Sequence, residues 1–103
     1  MLIGQSMVDA WRHVTANPRT SKRQTALAIT MNSSVDNGYA AVKRAISAGL
    51  IIATLGGAGY YQLVASTFDT MPDDTALAMA AYYSRTGQDL PTSLRARVAK
   101  LNP

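Results

Sequence analysis

Lys43 and Arg44 stand side by side in AVKRAISAGLI (41–51). Lys22 and Arg23 do the same in TSKRQ (20–24), with Arg19 just upstream. Paired cations on short helical segments are suited to neutralising phosphate or another anion. Asn37, two helical turns before Arg44, adds an amide. Asn and Arg are the side chains able to make paired hydrogen bonds to the edges of adenine and guanine respectively. Residue types for bond-breaking chemistry are sparse: there is one His (His13), no Cys and no Glu. A disulfide scaffold and a thiolate metal site are therefore excluded, and a His-based triad is poorly supported. GGAG (56–59) has neither the spacing of a dinucleotide fingerprint nor the Lys of a phosphate-binding loop, and is a turn. No enzyme, cofactor or metal is expected.

The charge is unevenly placed. Residues 1–67 hold six cations against Asp9 and Asp36, whereas residues 68–103 hold four cations against four Asp. The whole net charge of +4 thus belongs to the first two-thirds of the chain. That asymmetry suggests an anionic partner there, nucleic acid before membrane surface. The plain alternative is an ordinary solubility charge, with Lys43 and Arg44 on a solvated helix face. With 48% apolar and 16% charged residues in a 103-residue chain, a single domain with a modest core is expected rather than a disordered tail. The N-terminus, MLIGQSMVDAW, lacks the basic and long apolar regions of a signal peptide, and a cytoplasmic protein is expected.

The elements that must position these residues follow from periodicity and punctuation. Ile3, Met7, Trp11 and Val14 make the stripe of an amphipathic helix that must stop near Asn17, before Pro18, with Trp11 as a core anchor. Ser21 and Gln24 offer a capping box for a second helix whose inner face is predicted to be Leu27, Ala28 and Met31, with Asn32 as its terminator. Ser34 or Asp36 can cap a third helix, braced from behind by Tyr39, Val42, Ala45 and Ile46 and ended by Gly49. At about 100° per residue, its outward side carries Asn37, Ala40, Arg44 and Ser47, with Lys43 and Asp36 flanking. LIIATL and YYQLVA on either side of GGAG predict a β-hairpin. Two more helices follow: one beginning near Pro72, Asp73 and Asp74 and stopping at Gly87, the other after Pro91.

LAITMNSS (27–34), AVKRAISAGLI (41–51) and IIATLGGAGYYQLV (51–64) resemble, in that order, the second helix and turn, the recognition helix, and the wing of the winged helix-turn-helix superfamily of DNA-binding proteins. The similarity is one of pattern and covers about residues 5–66. It implies a mainly α fold with a small β-hairpin: a winged helix-turn-helix unit over 1–67, and a C-terminal helical extension over 68–103 within one compact domain. It further implies double-stranded DNA as the partner. Asn37, Ala40, Arg44 and Ser47 are then the base-reading candidates, and Arg19, Ser21, Lys22, Arg23, Ser34 and Lys43 the phosphate candidates. The wing tip (Gly56, Gly57, Gly59) carries no Lys or Arg, unlike the usual wing.

The helix over 72–86 is apolar around much of its circumference, which suggests that it covers more than its own core. Leu77, Met79, Tyr82 and Tyr83, with Leu94, Val98 and Leu101 of the last helix, are expected to form a homodimer contact. The expected function is that of a small dimeric transcriptional regulator, of bacterial, phage or plasmid type. The alternative is a winged protein–protein interaction module in a replication, packaging or transcription complex, favoured by the uncharged wing. A third reading is a membrane span, since Ala45–Phe68 is 24 residues without a charge. Its mid-segment Gly cluster and β-formers argue for the hairpin instead, so no membrane partner is expected.

Overall fold

The computed structural model describes residues 1–30, 34–56 and 61–102. Its elements run α1 (Gln5–Ala16), α2 (Lys22–Ile29), α3 (Val35–Ser47), β1 (Ile51–Leu55), β2 (Tyr61–Ala65), α4 (Asp73–Arg85) and α5 (Thr92–Leu101). The fold is mainly helical, with a two-stranded antiparallel hairpin. Punctuation sets the boundaries where expected. Ser21 caps α2 by accepting from the Gln24 amide at 3.0 Å, and Ser34 caps α3 by accepting from the Asn37 amide at 3.4 Å. The reciprocal half of the box at Ser21 is diverted, because the Gln24 side chain accepts from the Thr20 hydroxyl instead. Gly49 adopts φ +86°, the left-handed turn that carries the chain from α3 into β1. A side chain at 49 would also collide with Pro72 and Thr75, where the start of α4 closes over the end of α3.

The first helix buries the predicted stripe, Met7, Trp11 and Val14, with Ile3 just ahead of it. Trp11 is a core residue whose indole N–H donates to the Ser66 carbonyl at 2.8 Å, and its ring lies 5.5 Å from that of Phe68. An indole can be buried at little cost only when its N–H finds such a partner.

The second helix turns differently from the expectation. Its buried residues are Thr25 and Ala26, whereas Leu27 is 50% exposed and Ala28 also faces solvent. The helix ends at Ile29 with Thr30 as its C-cap, short of the expected terminator Asn32, and Met31 and Asn32 lie outside the described residues. The cause of the changed inner face is the crossing with α3. A Cβ at position 38 would lie 2.5 Å from the Ala26 carbonyl oxygen, so the two backbones approach through Ala26 and Gly38. Only small residues fit such a crossing, and the Leu is rolled outward. Thr25 tolerates burial because its hydroxyl donates to the Ser21 carbonyl at 2.9 Å.

The hairpin pairs Ile51 with Ala65, Ile52 with Val64, Ala53 with Leu63, Thr54 with Gln62 and Leu55 with Tyr61. Ile51 and Leu63 face the helices and are buried. The connection between α1 and α2 joins the sheet through a single bridge: the Arg19 amide donates to the Leu63 carbonyl at 3.0 Å, and the Leu63 amide to the Thr20 carbonyl at 2.8 Å.

Burial corrects the expected homodimer contact. Met79, Tyr82, Tyr83 and Leu94 are buried within their own chain, Val98 and Leu101 pack half-buried against the same core, and only Leu77 of that set is exposed. The reason is that α4 is enclosed on several sides. Thr75 donates to the Ala48 carbonyl at the end of α3, and the Tyr82 hydroxyl to the Gln5 side chain of α1, while α5 lies along another flank. One buried cluster therefore runs through both the 1–67 and 68–103 segments. Among the described residues no helix is long and apolar enough to cross a membrane. The described part of the charge-free stretch is the end of α3, the hairpin strands and a turn.

Candidate nucleic-acid interface

The orientation of α3 follows from its buried residues, Gly38, Ala41, Val42 and Ala45. Val42 and Ala45 brace the helix as expected and Ile46 is half-buried, but Tyr39 is exposed and its place is taken by Gly38 and Ala41. An aromatic cannot enter the close crossing with α2, so the helix rolls its smallest side chains inward. At about 100° per residue, this roll puts Asp36 and Ser47 at the middle of the exposed arc, with Lys43 on one side of them and half-buried Ala40 on the other. Asn37 and Arg44 are exposed but sit on the flank towards α1 rather than at the centre. There Arg44 shares one recess with Ser6, Ile29, Thr30 and Asn37, and another with Met1, Leu2 and Met7.

Of the phosphate candidates, Lys43 lies on the outward arc of α3, and the others lie on the α1–α2 connection or at the starts of α2 and α3. Ser21 and Ser34 spend an acceptor on their helix caps while leaving a hydroxyl proton free to donate. The N-termini of α2 and α3 carry unpaired amides and the positive end of the helix dipole, an arrangement that favours an anion. Arg23 is exposed on α2, and Arg19, in the left-handed region at φ +66°, is exposed beside the bridge to β2. Lys22 places its ammonium 4.9 Å from the centre of the Tyr61 ring, which ties the start of α2 to the hairpin.

Arg85, Arg95 and Arg97 differ from these cations in donating to backbone carbonyls, those of Ile3, Leu90 and Phe68 respectively. Among the described residues the only ion pair is Arg97 with Asp73 at 2.6 Å. Arg19, Lys22, Arg23, Lys43 and Arg44 thus present their charge without a carboxylate within ion-pair reach. Arg12, the sixth cation of this segment, is turned towards α4. The Tyr83 hydroxyl beside it raises its pKa above the ordinary arginine value, against a smaller opposing effect of burial.

The hairpin contributes no charge. Gly56 is half-buried, while Gly57 and Gly59 lie outside the described residues. Its outer face shows Ile52 and Val64 side by side, and Leu55 and Tyr61 stand exposed at its far end. The sequence reading missed the Thr20 bridge, the Lys22–Tyr61 contact and the recesses around Arg44. Thr20 is a β-former directly after Pro18 and Arg19, a weak signal that a longer strand would have strengthened. The other two depend on which segments meet in space and leave no trace in local spacing. Among the described residues no three His, Asp or Glu side chains gather as a metal-ligand set. Comparison with protein-family models, with curated proteins and with solved structures finds no match to this chain.

Proposed function

We propose that this chain binds double-stranded DNA through α3 and the start of α2, in the manner of a winged helix-turn-helix protein. It acts as a small cytoplasmic transcriptional regulator, as a dimer and without catalysis. The observation that carries this reading is the set of five cations on the α1–α2 connection, α2 and α3 that have no carboxylate partner among the described residues. A rod braced by Gly38, Ala41, Val42 and Ala45 leaves its other side free to enter a major groove. Ser47 and Asp36 then face the groove floor with Ala40 allowing close approach, while Lys43 reaches from one flank and Arg44 and Asn37 from the other. Arg19, Lys22 and Arg23 hold phosphates, which set register rather than sequence choice. Thr20, by bridging to β2, supports the reading because it holds the hairpin beside the helices as a wing.

Gel shifts over a salt series test this reading, after selection of bound fragments from random duplex DNA. Each phosphate contact adds a slope of about −0.9 to log affinity against log salt, so four contacts imply roughly a hundredfold loss between about 50 and 200 mM. Salt-independent binding, or no binding at low salt, would overturn it. A second reading, a winged module that docks on another protein, is favoured by the apolar outer face at Ile52 and Val64 and the exposed Leu55 and Tyr61 at the far end of the hairpin. Such docking would respond weakly to salt.

A further inference from the structure

The bridge at Thr20 fixes the phase of the hairpin ladder. The N–H and C=O of Leu63 point to the α1–α2 connection, so they point away from β1. In an antiparallel pair the hydrogen-bonded positions alternate. Ile52 with Val64 and Thr54 with Gln62 are therefore the hydrogen-bonded pairs, in agreement with the Ser66 amide donating to the Leu50 carbonyl at 2.8 Å. It follows that Ile51, Ala53 and Leu55 turn their N–H and C=O groups to the outer edge of β1. That edge has no strand beside it and no other backbone partner among the described residues. Exposed edges are ordinarily blunted by Lys, Pro or a bulge. Here IIATL has no charge and no Pro, and its register with β2 is unbroken.

We propose that β1 is the contact between two copies of this chain. Ile51 is covered within its own chain at 1% exposure, so the open part of the edge is Ala53 and Leu55. The two edges pair antiparallel about a two-fold axis at Thr54, Ala53 of each copy opposite Leu55 of the other, joining two hairpins into one four-stranded sheet. Three features make a second copy the occupant. First, the chain carries +4, so most meetings between copies bring cations together, whereas Ala45–Phe68 has no charge to oppose. Second, the pairing is self-complementary: Leu55 of one copy lies against Ala53 of the other, and the two Thr54 side chains meet on the outer face. Third, the far edge of β2 is already engaged at Leu63 by Thr20, so pairing stops at two copies instead of growing into a fibre. Leu55, at 68% exposure, gains cover in the pair. The inference stands whether or not α3 binds DNA.

Sedimentation equilibrium of the full chain, without nucleic acid and from micromolar to millimolar protein, tests it. An edge contact is small, so the association is weak and depends on concentration. The apparent mass should climb from the 11.0 kDa monomer towards twice that value. Ala53→Pro removes an edge donor that has no partner within the monomer. It should hold the chain at the monomer mass while circular dichroism and the melting temperature stay as in the wild type. Leu55→Lys, which leaves every N–H in place, should weaken association at least tenfold, and it serves if the proline disturbs the hairpin. A wild-type chain that stays monomeric throughout, as it would if the edge serves a strand of another protein, overturns the proposal. So does wild-type association in both variants.

Discussion

In α4 and α5 the arginines are turned against the protein's own backbone. Arg85 donates to the Ile3 carbonyl at 2.6 Å, and Arg97 to the carbonyls of Phe68 and Met71 at 2.7 and 3.0 Å as well as to Asp73. In α2 and α3 the cations meet no carboxylate among the described residues and stand at or near the surface. The same residue type holds the fold in one region and is left for an outside partner in the other. Local charge balance does not distinguish the two roles. What does is whether chain ends and turns bring unpaired carbonyls within reach, as the 66–72 turn does for the 15%-exposed Arg97 side chain.

That contrast can be broken from either side. The largest effect is expected from Lys43→Ala combined with Arg44→Ala, which should weaken DNA binding roughly a hundredfold or more in a gel shift. Each lost contact contributes about 1–3 kcal/mol. The melting temperature should hardly move, since exposed substitutions stay within about 0.5 kcal/mol. Arg97→Ala should do the reverse. Leaving carbonyls without their charged donor should cost about 1.5–3 kcal/mol in urea denaturation, with affinity per folded molecule unchanged. Ser34→Ala, which removes the cap of α3, should cost about 1 kcal/mol and weaken binding through the fraying of that helix and the loss of one hydroxyl donor. The smallest effect belongs to Asp73→Asn: Asp73 is 71% exposed and Arg97 keeps both carbonyls, so no measurable change in the melt is expected. Loss of binding on Arg97→Ala without loss of stability would erase the distinction between the two regions.

Much of the local structure was legible in residue order. Ser21, Ser34, Gly49, Gly87 and Pro91 mark helix ends through chemistry that acts within four residues, and Ile51–Leu55 and Tyr61–Ala65 carry the composition of strands. The candidate site was legible only in part. Lys43, Arg44, Lys22 and Arg23 are exposed or half-buried on the expected helices. Which of them heads the outward arc was misjudged, because periodicity gives a face and not the roll of that face against a neighbour. Tyr39 and Leu27 looked like brace residues by hydropathy. Both were displaced by the close approach of α2 and α3 at Ala26 and Gly38.

The apolar circumference of α4 shows the same division. Its composition announced contact on several sides, and α1, α5 and the end of α3 supply those contacts within the chain. Sequence alone marked the start of α2, the ends of α1, α3 and α4 and where the basic excess lies, because capping, turn geometry and charge depend on near neighbours. Tertiary structure decided which arginines are consumed by carbonyls, how far α3 is rolled, and which edge of the hairpin is left open. Those outcomes depend on how closely segments far apart in the chain can approach, and that distance is set by steric fit across the whole core.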